Sequence, residues 1–111
     1  MGILLALYIV GGLVLAGLSV PLILHKIPPN GLYGFRLPVT MANPDLWYKV
    51  NEYSGWRFLV AGLGTVIGAV ILYFVPGLSV DTYAMSCLGV FLAFFLWGMF
   101  TSYLYLKSIR E

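Results

Sequence analysis

Two stretches of this chain, residues 1–24 and 82–106, hold no Asp, Glu, Lys or Arg, and a third, 56–75, holds Arg57 alone, at its edge. As a helix, residues 1–24 reach about 36 Å, enough to cross a hydrocarbon core of about 30 Å. Apolar runs of this length read as membrane-spanning helices. Only 9% of the residues are charged, against about 25% in a soluble domain. The expected fold is therefore an all-α integral membrane protein. It is a single membrane domain over 1–111, with three transmembrane helices at about 1–24, 56–75 and 82–106. A structured loop, 25–55, separates the first two.

The first run has no basic residues ahead of it, so it reads as a retained span and not as a cleaved signal peptide. Ala6 stands where N-myristoylation needs Ser or Thr. Pro21 is placed to kink its last turn. Pro76-Gly77 stops the second span with a turn signal. The short connection that follows predicts an antiparallel hairpin.

Lys26, Arg36, Lys49 and Arg57 lie in or beside the large loop, and Lys107 and Arg110 lie in the tail. With three spans these two groups share one side. The positive-inside rule then puts the N-terminus outside and the loop and C-terminus in the cytoplasm of a cell membrane. Six scattered basic residues make no nucleic-acid surface, so the expected partner is the lipid bilayer and not nucleic acid.

The loop 25–55 contains four of the six prolines. Pro28-Pro29 cannot continue the first helix, and Asn30-Gly31 signals a turn. Pro38 holds residue 37 extended. Asn43-Pro44-Asp45 is a helix start: Asn43 caps, Pro44 suits the first helical position, and Asp45 meets the positive end of the dipole. Thr40 is an alternative cap. Leu46, Trp47, Val50, Tyr53 and Ser54 share one face of the helix that follows, while Asp45, Lys49 and Glu52 fall on a polar side. This short amphipathic helix is expected to lie at the cytoplasmic interface or to enter the second span with a bend near Gly55.

Arg36 sits among aromatic residues and prolines. It either braces the loop by bonding helix-end carbonyls and acids, or receives an anionic partner; a guanidinium suits both. His25 reads as an interfacial side chain, since no second histidine exists to share a metal. Cys87, the single cysteine, reads as a small apolar packer. No catalytic constellation, metal set or cofactor motif is present, so the chain is not expected to be an enzyme. The spans carry no ionisable group near mid-membrane, which argues against a pump or proton-coupled transporter. Gly12 with Ala16, and Gly64 with Gly68, form small-xxx-small pairs that let helices approach, within or between chains. Phe91, Phe94, Phe95 and Phe100 in the third span suit lipid or bundle contacts, and Tyr103 and Tyr105 suit an interfacial belt.

The loop resembles the signature of the SdpI family of bacterial membrane proteins. Asn30, Gly34, Phe35, Arg36, Pro38 and Thr40 match its extended run, and Asn43, Trp47, Asn51 and Gly55 match the short helix after it. The resemblance covers the loop and the start of the second span, and the chain looks like a short, single-module member. It implies immunity to a secreted peptide toxin, or sequestration of a cytosolic transcriptional repressor at the membrane. The motif residues would then bind the partner or brace the loop. The alternative is a small accessory subunit of a larger membrane complex, for which uncharged, aromatic spans with small-residue faces are suited.

Overall fold

The computed structural model describes residues 1–30, 34 and 38–110, with the backbone alone for Arg110. The helices are α1 (Gly2–Ile23), α2 (Pro38–Ala42), α3 (Pro44–Tyr73) and α4 (Val80–Arg110). There is no strand among the described residues. α1, α3 and α4 are each long and apolar enough to span a membrane.

The second span differs from the sequence expectation in extent. The amphipathic segment and the span form one helix of 30 residues, running through Gly55 without a break. The reason lies in packing. A Cβ on Gly55 would stand 2.8 Å from an Ile23 side-chain carbon and 3.1 Å from the Ser19 carbonyl oxygen. Gly55 is therefore a contact point for the end of α1.

The start of α3 follows from its first three residues. Asn43 is extended, at φ −133°, and its side-chain oxygen accepts from the backbone N–H of Asp45 (3.1 Å) and Leu46 (3.4 Å). Pro44 follows at the first helical position, where its missing N–H costs nothing. Asn43→Ala is expected to lower stability by about 1 kcal/mol. Thermal unfolding in detergent measures this, and Asn43→Asp should retain most of the cap.

α1 ends in a Schellman motif. The N–H of Lys26 donates to Pro21 O (2.9 Å) and that of His25 to Leu22 O (3.3 Å). Such an end needs a left-handed residue just past the helix, and His25 takes that place at φ 58°. Residues 74–79 join α3 to α4, with Gly77 at φ 83° in the turn. Ser79 Oγ accepts from the N–H of Thr82 (3.1 Å), capping α4. α4 begins at Val80 and outlasts the expected span at its C-terminal end, carrying Lys107 on the helix.

α3 is the central helix, with α1 and α4 packed along it. The bundle is 50 Å long and 23 × 18 Å across. Helix backbones meet where side chains are smallest. Gly12 and Ala16 of α1 pack against Gly62 of α3, while Gly64 faces the Phe94 ring of α4 and Gly68 faces Val90. Both small-residue pairs thus make contacts within the chain. Two tyrosines tie the far end together: Tyr83 Oη donates to Ala69 O and Tyr8 Oη to Ala84 O, both at 2.9 Å. Cys87 is buried with Ala69 and Tyr83. Leu7, Val14 and Leu18 of α1, and Leu92, Leu96 and Phe100 of α4, are exposed. They form the surface that lipid covers.

Candidate functional site

α3 is about 45 Å long, half as long again as the hydrocarbon core. α1 ends beside Gly55, so Pro44–Ser54 extends beyond it. The last turns of α4 and the connection from α1 gather around that extension to form a folded head.

The centre of the head is Trp47, fully buried, whose Nε1–H donates to Ile27 O at 2.8 Å. This bond holds the connection against α3, across 20 residues of sequence. One turn on, buried Asn51 donates from Nδ2 to Trp47 O (2.9 Å). Gly34 lies over both residues. Its φ is +113°, and a Cβ there would stand 2.8 Å from Asn51 Oδ1 and 3.1 Å from the Trp47 ring. The position excludes a side chain twice, by conformation and by space. Ser54 Oγ donates to Asn51 O (3.3 Å), and Gly55 meets α1 on the next turn. Below this, Val50 and Leu106 are buried together, with Val39, Leu46, Tyr105 and Ile109 packed around them. That cluster ties α2, α3 and α4 into one unit.

The structure thus brings Gly34, Trp47, Asn51 and Gly55 onto one line of contact. Thr40 is buried in α2, and Pro38 opens that helix. Asn30 Nδ2 donates to Pro28 O at 2.8 Å, closing the turn after the proline pair. Asn43 is exposed and caps α3. Phe35 and Arg36 lie outside the described residues. At the edge of the head, His25 Nε2 lies 3.6 Å from a Glu52 carboxylate oxygen, both side chains being about half exposed. An exposed pair of this kind contributes little.

Two features were not legible beforehand. Arg57 lies inside the α3–α4 seam, with its guanidinium carbon 4.3 Å from the centre of the Tyr53 ring and 5.1 Å from Trp97. Its Nη2 donates to Tyr53 Oη at 2.9 Å. The signal was the Tyr53–Arg57 spacing of four, which stacks the two on one helical face. The second feature is an apolar groove of about 440 Å³ between α1 and α4, open to the membrane. Leu7, Gly11, Val14 and Leu18 form one wall, Leu88 and Phe91 the other, and Thr65 lies at its base. Such a groove depends on how far apart two helices stand, which no local pattern states.

An all-helical, multi-pass membrane protein with three candidate spans and a folded head at one end is the class that this architecture defines. The family model for the SdpI/YfhL protein family matches residues 26–104, taking in the connection after α1, α2, α3 and most of α4. The chain belongs to that family. Comparison with curated proteins and with solved structures gave no match.

Proposed function

We propose that the chain is a non-enzymatic immunity or signalling protein of the cell membrane. It confers resistance to a secreted peptide toxin, holds a cytosolic repressor at the membrane, or does both. Family membership over residues 26–104 is the observation that carries this reading. Two surfaces are suited to the two roles. The groove between α1 and α4 is apolar and open to the bilayer, the chemistry with which a membrane-active peptide associates. The head is polar at its rim, where Lys26, Lys49, Glu52 and Lys107 are exposed, and a soluble partner meets such a rim more readily than a lipid.

The orientation in this proposal has the head in the cytoplasm. Lys26, Lys49 and Lys107 all belong to the head end, while Asp81 begins α4 at the opposite end. That asymmetry matches the positive-inside rule.

The test is expression in toxin-sensitive cells with membrane insertion confirmed. Protection from an added toxin peptide, or movement of a fluorescent repressor to the membrane, is the expected result. If neither changes, and the protein instead purifies from mild detergent in fixed ratio with other membrane proteins, the accessory-subunit reading takes its place.

A further inference from the structure

We propose that the groove between α1 and α4 seats one acyl chain of a bilayer lipid from the head-side leaflet, with the end of the chain at Gly11. The lining sets the chemistry. Leu7, Val14 and Leu18 face the groove from α1, and Leu88 and Phe91 from α4. Among the described residues that line it, none is charged. Its two hydroxyls are committed inside the protein: Tyr8 Oη donates to Ala84 O (2.9 Å) and Thr65 Oγ1 to Ala61 O (2.8 Å). An occupant is offered no ion pair and no free donor, so it is apolar throughout.

Size narrows the choice. From Leu7 to Leu18 the groove runs about 16 Å along α1. A foreign helix of that length, about 10–12 Å across, fills roughly three times the groove's volume of about 440 Å³. A second copy does not fill it either. Copies inserted the same way round are related by a two-fold axis along the membrane normal, which sets a surface against itself. A hollow set against itself stays empty. A single hydrocarbon chain has the bulk and the chemistry, and the volume is that of a small-molecule site.

Depth gives the direction. α1 runs from Gly2 to Ile23, so Gly11 and Gly12 lie near mid-membrane. Beyond them, away from the head, the Tyr8–Ala84 bond joins α1 to α4 and closes the groove. A chain lying in it comes from the head-side leaflet, passes Leu18 and Val14, and ends at Gly11. From Ile23 to Gly11 the rise is about 18 Å, close to the depth of one leaflet, half of a core of about 30 Å. Gly11 leaves the chain end its room, since nothing lies within 4 Å of a Cβ there. The chain leaves lipid and not water, so its retention rests on close packing. This reading goes beyond the peptide role and stands whether or not a peptide competes for the groove.

The test uses the full chain in a neutral detergent, with native mass spectrometry to count retained lipids and copies of the chain. The probes are dioleoyl phosphatidylglycerol, dilauroyl phosphatidylglycerol, whose chains stop short of Gly11, and dioleoylglycerol, which has no phosphate. The wild type should retain the two dioleoyl lipids alike and the dilauroyl lipid about tenfold less. Gly11→Leu puts a side chain where the chain end lies, so it should retain the dioleoyl lipids no better than the dilauroyl one. Gly17 is equally open but lies outside the groove, and Gly17→Leu should behave as wild type. Equal retention of both chain lengths by the wild type would overturn the proposal, as would a preference that survives Gly11→Leu. Loss of the preference in Gly17→Leu as well would reduce the groove to ordinary lipid contact and overturn it. Retention that follows the phosphate, or a dimer that Gly11→Leu breaks, would also overturn it, the dimer assigning the groove to a second copy.

Discussion

Trp47→Ala should unfold the head while leaving the spans inserted, at a cost of about 3–5 kcal/mol. The side chain is fully buried and performs two tasks. Its ring fills the space beneath Gly34, and its indole N–H holds the carbonyl of Ile27. Alanine removes both. Trp47→Phe separates them: it keeps most of the volume but leaves Ile27 O without its donor, for a loss of about 1–3 kcal/mol. Hydrogen exchange over residues 24–43 should speed up in both variants, and more in Trp47→Ala. Alkaline extraction from membranes should remain negative, because α1, the membrane part of α3, and α4 do not depend on the indole. Unchanged exchange in Trp47→Ala would show that the connection is held by other contacts.

Gly62→Leu should separate α1 from α3. A Cβ at residue 62 would clash with the carbonyl oxygen of Gly12 and stand 2.9 Å from the backbone nitrogen of Ala16. These are backbone atoms of a helix, so no side chain can rotate away. Overpacking costs 1–3 kcal/mol in ordinary cores and occasionally more; here we expect about 3 kcal/mol or above, since relief requires moving a whole helix. A disulfide engineered between α1 and α3 near Gly12, in a Cys87→Ser background, should form readily in the parent and poorly in the variant. Gly17→Leu and Gly89→Leu are the controls. Nothing lies within 4 Å of a Cβ at either, so both should be close to neutral. Equal effects at all three sites would mean that leucine at any of these glycines disturbs the protein, and not the α1–α3 contact in particular.

Features fixed by local chemistry were readable from the sequence. The uncharged runs gave three candidate spans, because each is long enough to cross the hydrocarbon core as a helix. Asn43-Pro44-Asp45 gave the start of α3 to the residue. Features fixed by what a neighbour does were not readable. Gly55 looked like a bend because glycine weakens an isolated helix; it is needed because α1 arrives there. Gly62 is not a member of the Gly64–Gly68 pair. It belongs to a second small-residue face, with Ala61, Thr65 and Ala69 all buried beside it, and α1 lies against that face. In the candidate site, the motif residues Gly34, Trp47, Asn51 and Gly55 could be picked out by spacing, but the contact of Gly34 with Trp47 and Asn51 depends on the chain turning back on itself. Arg57 was visible only as a charge at a span's edge, since the aromatic ring across the seam comes from a different helix.

The uninterrupted course of α3 has a mechanical consequence. A helix is stiff along its length, and this one has Trp47 and Asn51 seated in the head at one end and Ala69 beneath Tyr83 at the other. No break at Gly55 interrupts it. The seat of Trp47 under Gly34 and the seat of Gly62 against Gly12 are thus set on one axis, so the packing of the head and the packing of α1 share a single helix.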